Sequence, residues 1–368
     1  MAEYIIDQNT YADEESQRLL AENKAFDAKN TLDPVLLCPF YAGIPFALDS
    51  GHPLGVYGEA GTGKTSAIIK YGVSRGVPVC IIPCSKGTMQ NILLGKKTFD
   101  ENNNVKFVMG LMLKGLTKGW ITVLDDGTNL SQAILTECQE PFMLNPSFTC
   151  LANDNAVYDI HPNARLVMTG NPGYAGTEKI PEALQDRIVN QIYVYHEFNG
   201  EIREGLSPQG FLMFAKNHWP WLTDAFVNAI YTLNWEIKSC ADKNAKKFVP
   251  CGTRQLIGLM GNLLTRDSIF QRSDFDLFIN MAYFSVLMRA NVRIDVYSRF
   301  ISSLSTQGIV DTIYNEYVNS PRPKKISRSQ PQPQPQPQPT PDKPAPQPNS
   351  GDRFLTELKA ESNVRIKI

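Results

Sequence analysis

Gly58-Glu59-Ala60-Gly61-Thr62-Gly63-Lys64-Thr65 is the stretch that decides the fold of this chain. It fits the spacing G-x-x-x-x-G-K-[ST] without a mismatch, and each fixed position has a physical reason. Glycines at 58, 61 and 63 let the backbone curl until several N–H groups point at one anion. A lysine at 64 reaches the outer phosphates of a nucleotide, and the hydroxyl at 65 offers an oxygen to Mg²⁺. The flanks agree. Leu54-Gly55-Val56-Tyr57 is an apolar run of strand type, and residues 65–73 carry helical apolar spacing. The loop is thus expected at a helix N-terminus, whose positive dipole end favours phosphate. The predicted nucleotide-binding set is Gly58, Glu59, Ala60, Gly61, Thr62, Gly63, Lys64, Thr65 and Ser66.

Further along, Trp120-Ile121-Thr122-Val123-Leu124-Asp125-Asp126 is an apolar strand that ends on two acids. Asp125 is predicted to hold Mg²⁺ through its water shell, beside Thr65, and Asp126 to orient or deprotonate an attacking water. The second acid of such a pair is usually Glu. Asp126 is one methylene shorter, which shifts a positioned base by about an ångström or more. A third segment, Leu166-Val167-Met168-Thr169-Gly170-Asn171-Pro172-Gly173-Tyr174, is a buried strand closing on a polar Asn. A fourth, Ile180-Pro181-Glu182-Ala183-Leu184-Gln185-Asp186-Arg187-Ile188, precedes the last strand expected in the sheet.

In these segments and their order, the chain resembles the AAA+ ATPases of the MoxR group, and most of all the branch containing the CbbQ and NorQ activators. The stretches that carry it are GEAGTGKT, WITVLDDGTNLSQAILTECQEPF, HPNARLVMTGNPGYAGTEKIPEALQDRI and CGTRQLIGLM, within residues 50–265. The resemblance implies ATP and Mg²⁺ as cofactors and roles by position. Asn171 matches the sensor residue that positions the lytic water. Arg187 matches the arginine finger that reaches a neighbouring subunit's γ-phosphate, and Arg254 matches a second sensor on the helical lid. The catalytic set is therefore Lys64, Asp126, Asn171 and Arg187, with Thr65 and Asp125 at the metal and Arg254 touching nucleotide. It also implies a ring, a hexamer by analogy, a client protein and a von Willebrand factor A-type partner. Two inserted loops would line a pore or face the client. One holds Lys86, Lys96, Lys97 and Lys106 with a turn at Asn102-Asn103-Asn104; the other is a hairpin over 148–158 bending at Asp154-Asn155.

The rest of the chain sets the frame. Strands read at 54–57, 77–83, 121–124, 165–169 and 191–195, with helices between them, imply an α/β fold with a parallel sheet covered on both faces. Three-to-four spacing at 211–214, 225–237, 254–264 and 275–290 implies an all-helical lid. The expected divisions are a leading segment 1–45, a nucleotide-binding core 46–200, the lid 201–320, a Pro/Gln-rich linker 321–350 and a tail peptide 351–368. Within the leading segment, residues 13–26 favour a helix that docks loosely. The linker reads as a semi-rigid polyproline II spacer or as a ligand for a proline-binding module.

With 36 basic against 37 acidic residues, charge gives no global case for nucleic acid or an anionic membrane as partner. The first residues, without a basic stretch or a long apolar core, are not expected to act as a signal peptide, and no apolar run of membrane-spanning length is read. Seven scattered cysteines suit free thiols in a reducing compartment, the cytoplasm, or a host's cytoplasm for a viral chain. Two other functions stay open: a nucleotide-gated scaffold with slow turnover, suggested by the short acid Asp126, and a nucleic-acid-associated P-loop motor.

Overall fold

The computed structural model describes residues 10–30, 32–143, 145–171, 180–198, 201–244, 258, 260–261, 264, 271–273, 275–276 and 304–320. All belong to one compact unit, Met1–Arg322. Its strands are β1 (Leu54–Gly58), β2 (Val79–Pro83), β3 (Gly95–Phe99), β4 (Val105–Met109), β5 (Ile121–Asp125), β6 (Ser147–Cys150), β7 (Ala156–Asp159), β8 (Arg165–Gly170), β9 (Asn190–Phe198) and β10 (Glu201–Glu204).

Six of them make the main sheet, in the order β10-β9-β1-β8-β5-β2. Strands β9, β1, β8, β5 and β2 run parallel. They are the strands expected from the sequence, with small shifts at their ends. Every residue of β1 and of β8 is buried, as strands covered on both faces must be. The edge strand β10, antiparallel to β9, adds to that expectation. The order sets β8 between the strand that leads into the glycine loop and the strand that ends on two acids. In this register Tyr57 lies beside Gly170, and Leu124 beside Met168. The carboxyl ends of β1, β8 and β5 are therefore level, and the crevice beyond them is where an open α/β sheet takes its ligand.

The leading segment does not dock loosely. Helix Glu14–Lys29 starts on Asp13, whose carboxylate accepts from the Ser16 amide, and carries Glu14 and Glu15 in its first turn. Its inner face is fixed by buried hydrogen bonds. The Asn23 side chain accepts from the Val79 amide (2.7 Å) and donates to the Val79 carbonyl (3.1 Å). Asn23 thus stands in for a missing neighbour strand along edge strand β2. Trp120 Nε1 donates to Ser16 Oγ (2.8 Å), and Tyr11 donates to the Gly119 carbonyl (2.8 Å). Sequence periodicity sees only Leu19 and Leu20 here, because the clasp is polar. Asn23→Leu leaves both Val79 groups buried and unpaired, so a loss of about 2–4 kcal/mol is expected by urea unfolding. A loss under about 0.5 kcal/mol would show that water replaces the clasp.

The hairpin read at 148–158 forms, β6 pairing with β7 and Asp154 and Asn155 taking positive φ at the bend. The lysine-bearing insert, read only as a loop with a turn, also closes into a hairpin, β3 pairing with β4. The hairpins meet through a Lys97–Asp154 ion pair and through the Phe107 and Tyr158 rings, 6.4 Å apart. Beyond the sheet, helices Pro208–His218, Asp224–Asn244 and Leu304–Asn319 enclose a second apolar cluster with Phe211, Phe226, Ile230, Ile313 and Tyr317 at its centre. The helix read at 254–264 is described only at isolated residues, and Arg254 lies outside the described residues, as do the linker and tail, 321–368.

Candidate nucleotide site

Strand β1 delivers the chain to the glycine loop at the level edge of the sheet. Gly58 has φ 147°, and a Cβ there would stand 2.8 Å from the Val194 Cβ, so a larger residue would push the loop off β9. Gly63 (φ 89°) turns the chain into helix Lys64–Arg75. The loop is braced from below. Tyr41 donates to the Thr62 carbonyl (3.0 Å), and the Thr62 hydroxyl donates to the Glu59 carbonyl (2.9 Å).

Lys64 is only 7% exposed. Its ammonium donates to the carbonyls of Gly58 (2.8 Å) and Glu59 (3.0 Å) and to Asn171 Oδ1 (2.7 Å). The other end of the Asn171 amide donates to Asp126 Oδ1 (3.1 Å). Asn171 thereby links the loop cation to the second acid. At the end of β5, Asp125 Oδ1 accepts from the Thr65 hydroxyl (2.7 Å) and from the buried Thr169 hydroxyl (2.8 Å). The Asp126 amide donates to Thr169 Oγ1 (3.0 Å). Asp126 itself adopts a left-handed conformation, φ 54° and ψ 38°.

These groups surround a cavity of about 330 Å³, lined by Ala60, Gly61, Thr62, Gly63, Lys64, Thr65, Ser66, Asp125, Asp126 and Asn171, with Asn30 and Phe214 at its border. Of the predicted set, Gly58 and Glu59 do not line the cavity, and Glu59 is buried. Arg187 does not line the cavity. Its guanidinium donates to the Ala183 carbonyl, and among the described residues its buried Nε has no acceptor. Sequence reading missed Thr169, Asn30 and Phe214. The first is inconspicuous in an apolar strand, and the other two approach from outside the core.

Beside the acids, burial first and then the negative charges of Asp125 and Asp126 push the Cys84 thiol up to about 12. It stays a neutral neighbour of the site. The donor set suits a nucleotide with Mg²⁺. A buried ammonium and curled backbone line the cavity, together with a hydroxyl and a carboxylate, both hard oxygens, that meet 2.7 Å apart. Two protein oxygens, not a full cage, are what Mg²⁺ takes beside phosphate and water.

Residues 53–188 match the AAA domain (dynein-related subfamily). The gas vesicle ATPase GvpN of Ancylobacter aquaticus is 25% identical over 163 residues, covering 38% of this chain and 45% of that protein. The chain thus spans less than half the length of that curated relative. A solved structure from Cytophaga hutchinsonii, described provisionally as an ATPase, aligns at 14% identity and a TM-score of 0.35, covering 82% of this chain and 96% of that one.

Proposed function

We propose that this chain, whose α/β part is a P-loop core of the AAA+ type, is an ATPase of the MoxR kind that works in a ring and remodels a client protein. The observation that carries the ATPase reading is the convergence of Lys64, Thr65, Asp125, Asp126 and Asn171 on one cavity. Lys64, held by two carbonyls, places a fixed positive charge where phosphate oxygens would lie, at no reorganisation cost during reaction. Thr65 and Asp125 would hold Mg²⁺, which when bound shields the phosphate charge. Asp126, oriented by Asn171, accepts the proton of the attacking water. ATP rather than GTP, the hexamer, the client and a von Willebrand factor A-type partner enter by resemblance alone. Among the described residues no helix is long and apolar enough to cross a membrane.

The place of Arg187 outside its own chain's cavity favours action on a neighbour's nucleotide. Arg187→Ala is expected to keep nucleotide binding and to lose roughly 10³-fold or more in turnover. Mixing it with subunits carrying Lys64→Ala should restore part of the rate, because some interfaces then combine an intact loop with an intact arginine. Absence of rescue in mixed assemblies of verified composition would end the trans assignment.

The reading as a whole is tested by turnover per subunit against protein concentration with Mg²⁺ present. A rate that climbs steeply and saturates is the expected result, since the site is completed by a second copy. Tight nucleotide binding without turnover at any concentration would favour instead a nucleotide-gated scaffold, a reading to which the left-handed, short-armed Asp126 lends some support.

A further inference from the structure

We infer that Thr169 is a positioning residue of the Mg²⁺ site, setting the carboxylate of Asp125 and the backbone of Asp126 at once. The inference rests on the nucleotide-site reading above and adds a residue that neither the loop motif nor the paired acids identify. A hydroxyl carries one proton and two lone pairs, so it can serve two neighbours of opposite kind. Thr169 does so: its proton goes to Asp125 Oδ1 (2.8 Å), and its oxygen takes the Asp126 amide (3.0 Å). It is 0% exposed, on a strand flanked by β1 and β5, so neither partner can be exchanged for water at low cost.

Asp125 Oδ1 accepts from two hydroxyls, and their duties differ. Thr65 belongs to the glycine loop and is the residue that offers its oxygen to the cation, so its bond to Asp125 is the one cation binding exchanges. Thr169 has no such second task and holds the carboxylate in either state. Its other bond ties down the amide of a residue in the left-handed region, a conformation that costs energy unless neighbours fix it. One side chain thus separates the work of two adjacent acids, one turned to the metal and one to the water. The bracing comes from β8, the strand that this order inserts between the loop and the acids.

Thr169→Val, nearly the same shape without the hydroxyl, tests this against Thr169→Ser, which keeps it. The probe is a fluorescent ATP analogue, bound first in EDTA and then titrated with MgCl₂, alongside melting curves and the Mg²⁺ dependence of turnover. In EDTA the Val variant should bind within about twofold of wild type, since Lys64 and the loop are untouched. Its Mg²⁺ midpoint should rise by about tenfold or more, the effect of losing a hydrogen bond to a charged group. Thr169→Ser should return the midpoint to within about threefold of wild type. An unchanged midpoint in folded Thr169→Val overturns the inference even if turnover falls, because a merely structural residue would do that. A midpoint raised equally in the Ser variant also overturns it, since the methyl would then be the cause. If Thr169→Val does not fold, Thr169→Cys carries the same expectation, a thiol being a poor donor. Wild-type protein that binds the analogue neither in EDTA nor with Mg²⁺ would instead remove the nucleotide-site reading, and this inference with it.

Discussion

Lys64→Ala is expected to abolish measurable turnover, a fall of roughly 10³-fold or more, and to weaken ATP binding by about 10- to 100-fold. The size follows from where the ammonium sits. It is buried, aimed by the Gly58 and Glu59 carbonyls, and joined through Asn171 to the acid that handles water. Removal deletes the fixed charge at the phosphates and one of the two partners that hold Asn171. Stability should hardly suffer, because a buried cation is costly to keep and alanine suits the first turn of a helix. Lys64→Arg should not rescue, since a planar fork cannot serve the same three acceptors from that position. Turnover within about threefold of wild type in a folded Lys64→Ala protein would refute the phosphate-loop assignment.

Asp126→Asn is expected to cut turnover by about 10²- to 10⁴-fold while leaving ATP binding within a few-fold of wild type. Asn keeps the size, tolerates the left-handed backbone and can still meet Asn171, so the change is confined to the lost base. Isothermal binding and steady-state turnover on the same preparation separate the two effects. Asp126→Glu is informative in a different way. Glutamate restores the more usual acid and should preserve the rate or raise it, but a longer side chain at φ 54° should cost up to about 1 kcal/mol of stability. Loss of turnover in Asp126→Glu would mean that the site is built around the shorter acid. A gain in rate with no change in melting would mean that the backbone there relaxes freely.

The left-handed turn gives the short acid a physical reason that the sequence does not disclose. Read along the chain, Asp125-Asp126 is a pair of acids after an apolar strand, and the missing methylene looks like a defect. In the fold the second acid sits where Asp is better tolerated than Glu, and Asn171 reaches it from β8. The centre of the sheet was legible because β1, β5 and β8 are short, mostly apolar runs buried along almost their whole length. The loop, both acids and Asn171 were legible because each sits at a strand end, where a change from apolar to polar marks the sequence. Thr169 was not, since a hydroxyl inside an apolar strand looks like filler until its neighbours on β5 are known. The N-terminal clasp was misjudged for a similar reason: Asn23, Ser16 and Tyr11 act through hydrogen bonds to groups remote in sequence, which periodicity does not register. The pairing of β9 with β10 stayed unread because β10 is four residues long, too short for alternation to show.

The strand order also dictates a schedule for the growing chain. On the ribosome β1 emerges well before either of its partners, Leu54 pairing with Val167 on one side and Asn190 on the other. Helix Glu14–Lys29 waits in the same way for Val79 and Trp120. The nascent polypeptide must therefore carry an apolar, unpaired β1 while more than a hundred further residues are made, paying the loop-closure entropy only when β8 and β9 arrive. Such exposed strands are where chaperones bind and where aggregation begins. Poor yield of a fragment truncated before β9 would follow from this schedule without any weakness in the finished fold.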